Sequence, residues 1–183
     1  ERLRRLGAVS AKCVGNLKFA APPLPADAEE LSKMQDAVGD RPRWLAASTH
    51  PGEEIIVARV HQQLAKTRSG LLTVIVPRHP DRGAEIVAML REQKLAVSRR
   101  SDGEAIGPQT EIYLADTVGE MGLFFRLAGV AFMGKSLVLL GGQNPLEAAR
   151  LDCAIVHGPH MMNFEDMTKN LKKAAAAVEV ADE

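Results

Sequence analysis

Two segments of the chain place a histidine and a proline directly after a run of apolar residues, at residues 48–51 and 77–80. Proline is favoured in the first turn of a helix, so each segment is typical of a junction where a strand ends and a helix begins. The unpaired N–H groups at a helix N-terminus bind anions such as phosphate. Arg78 could add a bidentate contact to phosphate oxygens, and the alternative for its guanidinium is a surface ion pair with Asp81 or a nearby glutamate. Both junctions are therefore candidate places for an anion.

Two further segments, residues 115–120 and 141–147, combine glycine with a glutamate that stands three residues after a threonine or an asparagine. Glycine lets a ligand approach the backbone closely, and a carboxylate at such a place suits the two hydroxyls of a ribose. The same spacing is that of a capping box, in which the glutamate binds the backbone at the start of its own helix. The capping interpretation is favoured for Thr117 and Glu120, and the two interpretations are equal for Asn144 and Glu147.

Residues 129–136 match the pattern GxxxxGK[ST] of a nucleotide phosphate loop. A true phosphate loop follows a strand and opens a helix. Here residues 130–133 are themselves a predicted strand, and no helix start follows Ser136. We therefore expect that this motif is not a phosphate loop, and a nucleoside triphosphatase is the least favoured function.

The histidines provide little support for a metal centre. His157 and His160 are three residues apart, but Gly158 and Pro159 between them would break a helix, and no cysteine or carboxylate cluster completes a ligand set. No GxSxG, HExxH or GxGxxG string is present either. Hydrolase, zinc protease and ordinary dinucleotide-binding functions are therefore disfavoured, and we expect no metal.

These junctions belong to a regular alternation of short apolar runs and longer amphipathic segments, which is typical of a β/α protein. It predicts a Rossmann-like, mainly parallel sheet with helices on both faces, with ligands bound at the carboxyl ends of the strands. Prolines 22, 23 and 25 indicate a linker over residues 1–25, followed by one domain over residues 26–183. The predicted strands are 44–48, 71–76, 95–98, 112–115, 130–133 and 154–157, and the predicted helices are 51–66, 80–93, 117–128, 145–151 and 164–177.

The composition excludes several classes of protein. The chain has 183 residues and a net charge of +0, so no broad basic field is available to bind nucleic acid. Its apolar runs are far shorter than the ~20 residues that span a bilayer, and two cysteines are too few for a disulfide scaffold. We expect a soluble chain with reduced thiols. Because it begins with Glu1 rather than methionine, we also expect a piece of a longer polypeptide.

Six strings occur in a characteristic order and spacing along the chain: VGNLKF at 14–19, AASTH at 46–50, VPRHP at 76–80, YLADTVGE at 113–120, GGQNPLE at 141–147 and GPH at 158–160. Together they resemble one family, the 3-deoxy-D-manno-octulosonic acid (Kdo) transferases of Gram-negative lipopolysaccharide assembly. The likeness covers nearly the whole chain and only the C-terminal domain of the family.

The resemblance implies one half of a GT-B glycosyltransferase, with CMP-Kdo as the donor and lipid IV-A as the acceptor. It places the catalytic base and the acceptor site in an N-terminal domain that is absent here, so no catalytic residue is expected in this chain. It places the parent enzyme at the cytoplasmic face of the bacterial inner membrane, with no cofactor. The residues that it implies for CMP contacts are Pro77, Arg78, Val118, Gly119, Glu120, Asn144, Pro145, Leu146 and Glu147.

The chain departs from the family pattern at two positions. Lys135 stands where the family usually has glycine, and Gln143 stands where it usually has histidine. Lys135 could donate to the carboxylate or phosphate of the donor or face solvent, and Gln143 loses any titrating role. A non-catalytic nucleotide-binding or partner-binding module of the same fold is the alternative function. Further candidate contacts are Ser48, His50, His79, Lys135, Ser136, Gly141, Gly142 and Gln143.

Overall fold

The computed structural model describes residues 2–12 and 20–182. Cys13 and the string at 14–19, which contributed to the family resemblance, lie outside the described residues. The described strands form one parallel sheet in the order β3-β4-β2-β1-β5-β6-β7. The strands are β1 (Arg43–Thr49), β2 (Leu72–Pro77), β3 (Val97–Arg99), β4 (Ile112–Leu114), β5 (Val130–Met133), β6 (Ala154–His157) and β7 (Ala177–Glu179).

Helices connect these strands and cover both faces of the sheet, so the predicted Rossmann-like α/β fold is confirmed. Short 3₁₀ turns at Pro80–Arg82 and Arg100–Asp102 follow β2 and β3. The helices are α1 (Arg2–Arg5), α2 (Ala28–Val38), α3 (Glu53–Ala65), α4 (Gly83–Glu92), α5 (Met121–Ala128), α6 (Leu146–Ala149) and α7 (Glu165–Lys173).

The core is divided by the sheet because successive strand side chains point to opposite faces. In β1, Leu45 and Ala47 pack with helices α2 and α5, whereas Ala46 packs with α3 and α4. We call these two sides the α5 face and the α3 face. Helices α6 and α7 also contribute side chains to the α5 face. Helices α5 and α6 therefore begin on the same side of the sheet, at the edge where the parallel strands end.

The sequence prediction missed two elements. Helix α2 begins at the N-cap Asp27, whose side chain accepts the Glu30 N–H at 2.8 Å, and Met34 and Val38 lie buried on one side of it. This cap and this spacing are an ordinary helix signal that could have been found. Strand β7 lies in the alanine-rich run that was predicted as helix to residue 177. Helix α7 instead ends at Lys173, because Ala177 pairs with Ile155 of β6.

The end of the proposed linker is attached to the domain. Arg126 of α5 donates to the Leu24 carbonyl at 2.7 Å, and the Leu24 side chain packs against the core of the α5 face. Gly122 of α5 lies directly beneath Leu24 and Pro25, where any Cβ would overlap the backbone. The last residues of the proline-rich segment therefore pack on helix α5.

Candidate anion-binding site at the carboxyl edge of the sheet

Three strand ends meet at the centre of the carboxyl edge. Thr49 at the end of β1 lies opposite Pro77 at the end of β2, and the Arg78 N–H donates to the Thr49 carbonyl at 3.0 Å. After β5, the Gly134 N–H donates to the Ala47 carbonyl at 2.8 Å, and Gly134 packs so closely on Ser48 that a Cβ would overlap its carbonyl. The loops after β1, β2 and β5 are thereby held side by side.

His50 lies at the centre of these loops and is 9% exposed. Its ring stands edge-on to that of His79, with 5.6 Å between the ring centroids, and its Nε2 lies 3.4 Å from Nε2 of Gln143. Burial lowers the pKa of His50, and the positive charges of Lys135, His79 and Arg78 lower it further. The Glu54 carboxylate opposes this shift without reversing it, so the imidazole is neutral near pH 7.

A carboxylate that sequence reasoning missed binds the backbone of the loop after β5. Glu53, the first residue of α3, is fully buried. Its carboxylate accepts the backbone N–H groups of His50 at 2.9 Å, Lys135 at 2.7 Å, Ser136 at 3.0 Å and Leu137 at 3.1 Å. An acidic residue in the first turn of a helix was the only available signal, and it is usually explained by the helix dipole alone.

This arrangement agrees with the expectation that residues 129–136 are not a phosphate loop. A phosphate loop offers its backbone N–H groups to the ligand. Here those of Lys135 and Ser136 donate to Glu53, and the chain continues after Ser136 as a turn and not as a helix. The Ser136 hydroxyl is also engaged, since it donates to Met133 O at 2.5 Å and accepts from Gly158 N at 2.8 Å.

Gly141 and Gly142 bring the following segment back to the same edge. Both have a positive φ, of 93° and 77°, which glycine adopts without strain. The Gly142 N–H donates to the Lys135 carbonyl at 2.8 Å, so the two ends of this loop are tied together. Gln143 is the next residue, and its side chain extends to His50.

Asn144 directly precedes Pro145, the N-cap of the short helix α6, and its Oδ1 accepts the Leu146 N–H at 3.3 Å. Its Nδ2 donates to a carboxylate oxygen of Glu147 at 3.0 Å. Glu147 thus binds the side chain of Asn144 and not its backbone N–H, and this half-buried carboxylate lies in the first turn of α6. Pro145 is buried, and Leu146 packs against the apolar cluster around Met161.

The prediction that Thr117 and Glu120 form a capping box is wrong. Helix α5 begins only at Met121, and the Glu120 carboxylate accepts from Arg100 Nε at 2.7 Å and Nη2 at 2.5 Å, and from the Thr117 hydroxyl. These hydrogen bonds from Arg100 lower the pKa of Glu120. The bidentate interaction with a guanidinium from the far end of the sheet outcompetes the local backbone donor.

Glu120 also lines a cavity of about 530 Å³ that lies beside α2 and the ends of β3 and β4. Arg100 crosses this cavity, donating to Glu30 at 3.0 Å and to the Tyr113 hydroxyl at 3.3 Å. The residues before Glu120 face solvent, with Val118 85% exposed and Gly119 at a φ of 91°.

Of the predicted contact residues, the structure gathers Arg78, His79, Lys135 and Gln143 around His50. Gly119 precedes α5 and Glu147 lies in the first turn of α6, and both of these helices pack on the α5 face. Arg78 is exposed, and its guanidinium forms no ion pair with Asp81 or any other described residue. The alternative role as a surface ion pair is therefore not observed within the described part of the chain.

The remaining carboxylates at this edge are occupied by partners. Glu54 is buried and accepts from Arg82 at 2.8 Å and from the Thr49 hydroxyl at 3.0 Å. Asp116 is buried and accepts from Arg99 at 2.7 Å and from the Ser101 hydroxyl at 2.9 Å. These pairs stabilise the edge and leave no free buried carboxylate among the described residues there.

Other features lie apart from this edge. An apolar groove of about 410 Å³ opens on the α3 face, lined by Trp44, Val60 and Phe132 among others. Within residues 2–12 and 20–182, no group of three or more His, Cys, Asp or Glu could hold a metal ion. No helix in that part of the chain is long and apolar enough to cross a bilayer.

Comparisons with known proteins find similar sequences and a similar structure in one group of enzymes. No family model matches the chain. It is 38% identical over 141 residues to 3-deoxy-D-manno-octulosonic acid transferase of Haemophilus influenzae and 33% identical over 180 residues to that of Rickettsia felis. These matches cover 77% and 98% of this chain but only 33% and 39% of the relatives, so the chain spans well under half of their length.

A solved structure is similar over most of both chains. It is the C-terminal CMP-Kdo binding domain of WaaA from Acinetobacter baumannii, with a TM-score of 0.79 and 30% sequence identity. The match covers 84% of this chain and 81% of the other.

Proposed function

The chain belongs to the 3-deoxy-D-manno-octulosonic acid transferase family, and on that premise we propose that it is the donor-binding domain, which holds CMP-Kdo at the carboxyl edge of its sheet. The observation that carries the proposal is the convergence of three strand ends around His50, with Arg78 exposed and unpaired among the described residues beside them. The similarity to a CMP-Kdo binding domain supports the same ligand.

Each part of CMP has a candidate contact among the residues at this edge. Helices α5 and α6 begin on the same face of the sheet, and the nucleotide lies between their N-termini. The guanidinium of Arg78 binds the phosphate through charged hydrogen bonds. Glu147 accepts hydrogen bonds from the ribose hydroxyls, and the exposed Gly119 allows the backbone to approach the ligand closely. Gly141 and Gly142 are buried and pack against Asn163 and Met161, so their role is to shape the loop.

In the whole enzyme, we propose transfer of Kdo to lipid IV-A at the cytoplasmic face of the inner membrane. Transfer to a hydroxyl needs a general base within hydrogen-bond reach of it. The buried carboxylates at this edge are each bound by backbone N–H groups or by an arginine. This supports a base supplied by another domain, so this chain alone binds the donor without turning it over.

Donor binding in this proposal requires no metal ion or other cofactor, because cationic side chains meet the negative charge of the donor. Binding of CMP should accordingly be unchanged when EDTA replaces Mg²⁺ in the buffer. A loss of affinity of tenfold or more in EDTA would contradict this part of the proposal.

The test is a calorimetric titration of the chain with CMP. Arg78→Ala and Glu147→Ala should each weaken binding by about 10- to 100-fold, as expected for charged hydrogen bonds of ~1.5–3 kcal/mol. The matched controls are Arg91→Ala and Glu92→Ala, exposed residues at the opposite end of α4, which should leave the affinity unchanged. Absence of CMP binding by the unmodified chain would overturn the proposed function.

A further inference from the structure

We propose that His50, His79 and Lys135 form a second anion subsite beside the CMP phosphate, and that it binds the carboxylate of the donor sugar. The inference rests on the proposed function and deepens it, because it assigns the part of the donor that CMP lacks. It begins from a group of basic side chains that the CMP contacts leave unused.

The three side chains come from three different loops. His50 follows β1, His79 follows β2 and Lys135 follows β5, and these strands are neighbours at the centre of the sheet. The two imidazole rings contact edge to face at 5.6 Å, and Gln143 closes the far side of His50 at 3.4 Å. His50 is 9% exposed, whereas His79 is exposed and Lys135 is half-buried. The group is therefore fixed in the interior at His50 and accessible to a ligand at His79 and Lys135.

The ammonium of the group and the guanidinium beside it have no ion-pair partner within the described residues. The ammonium of Lys135 forms no ion pair or hydrogen bond there, and neither does the guanidinium of the adjacent Arg78. The Glu53 and Glu54 carboxylates are buried and engaged by backbone N–H groups and by Arg82. Burial lowers the pKa of His50, and Lys135, His79 and Arg78 lower it further against an opposing effect of Glu54, so positive charge predominates around this imidazole.

Glu53 also determines which donors a ligand can use. Because its carboxylate already accepts the backbone N–H groups of Lys135, Ser136 and Leu137, an anion beside the loop after β5 cannot use these three donors and must bind the side chain of Lys135 instead. The same hydrogen bonds hold Lys135 at a φ of 62°, in the left-handed region where a non-glycine residue is uncommon. This lysine stands where the family usually has glycine, and its ammonium is close enough to His50 to lower the pKa of that imidazole.

The chemistry of the donor supplies a matching pair of anions. In a CMP-activated 2-keto acid sugar, the phosphate oxygen and the carboxylate are attached to the same anomeric carbon, so the two charges lie within a few ångströms. Arg78 and His79 are consecutive residues, which places a phosphate contact next to the group. The shared chemistry is an oxyanion, and its two sources are the CMP phosphate and the sugar carboxylate.

The experiment separates these sources with three probes: CMP, CMP-Kdo and the carboxylate-bearing analogue CMP-N-acetylneuraminic acid, each titrated by calorimetry. Lys135→Gly removes the ammonium and suits the positive φ, so it should fold at least as well as the unmodified chain. Lys94→Gly is the matched control, since Lys94 is exposed, has the same φ of 62° and lies beyond α4.

We expect Lys135→Gly and His79→Gln to weaken binding of CMP-Kdo and of the analogue by tenfold or more, while the affinity for CMP changes less than twofold. Lys135→Arg should restore most of the loss. An equal loss for CMP and CMP-Kdo would assign the group to the phosphate and overturn the inference. Unchanged binding of all three probes would overturn it as well. Failure of the unmodified chain to bind CMP would instead remove the proposed function on which it rests.

Discussion

Glu53 and Ser136 are 83 positions apart, and the Ser136 N–H donates to the Glu53 carboxylate at 3.0 Å in the buried interior. The same carboxylate accepts three further backbone N–H groups, from His50, Lys135 and Leu137. One side chain at the start of α3 therefore stabilises both its own helix junction and the loop after β5. The shape of the proposed donor site depends on this residue, although Glu53 itself is inaccessible to a ligand.

Glu53→Gln should destabilise the fold by about 1–3 kcal/mol or more, because an amide replaces one acceptor oxygen with N–H donors that face backbone N–H groups. The free energy of unfolding from urea denaturation measures the effect. Glu29→Gln removes an equal charge from an exposed i,i+4 pair, and its cost should stay below about 0.5 kcal/mol. An equal free energy of unfolding for the two variants would show that the hydrogen bonds of the buried Glu53 carboxylate do not stabilise the fold.

Arg100→Lys should cost about 1–3 kcal/mol, even though the charge is retained. Lysine cannot reproduce the fork that donates twice to Glu120 and also reaches Glu30 and the Tyr113 hydroxyl. Thermal and urea unfolding measure the loss. The same substitution at the exposed Arg91 should be neutral, and a neutral result at Arg100 as well would contradict the importance of this cluster.

Gly83→Ala should destabilise the chain by about 1–3 kcal/mol, against the usual benefit of alanine in a helix. A Cβ at Gly83 would overlap the Asp116 carboxylate and lie 2.7 Å from Nη2 of Arg99, so their ion pair must shift. Gly107→Ala is the control, because a Cβ there meets only an ordinary contact with Thr110 Oγ1 at 3.8 Å. If the Gly83 variant proved as stable as the Gly107 variant, the close packing of α4 on Asp116 would be refuted.

Stability should decrease as the pH falls through 6.5, and His61 should account for part of the change. His61 is 1% exposed, its Nδ1 lies 2.9 Å from the Thr73 hydroxyl, and Glu111 at 3.9 Å is too far from Nε2 for a hydrogen bond. Burial lowers the pKa of His61 below 6.5, so the unfolded chain binds the proton first as the pH falls, and folding weakens until the folded pKa is passed.

Urea unfolding at pH 7.5 and pH 5.5 tests this directly. His61→Asn retains a polar group near Thr73 and does not titrate, so its stability should depend less on pH than that of the unmodified chain. Some dependence should remain, because the pKa of His50 is lowered as well. An identical change with pH in both proteins would exclude a contribution from His61.

Local patterns were sufficient for most of the fold. Apolar runs such as residues 130–133 and 154–157 are the strands that the alternation predicts, and the His-Pro junctions do lie at strand ends. The parallel order follows from strands joined by helices. Helix α2 carried a recognisable cap and was overlooked, whereas β7 was missed because alanine favours helices and only pairing with β6 makes the segment extended.

The candidate site was predictable only in part. Local residue patterns mark strand ends and helix starts, and they were enough to place His50 and Arg78 directly after strands and Glu147 in the first turn of a helix. They could not show that the Glu53 carboxylate accepts the backbone N–H groups of the loop after β5, or that the Glu120 carboxylate binds Arg100, because folding decides both contacts. In both cases the partners are distant in the chain. Which contact forms depends on the groups that folding brings together, because a carboxylate removed from water must find hydrogen-bond donors.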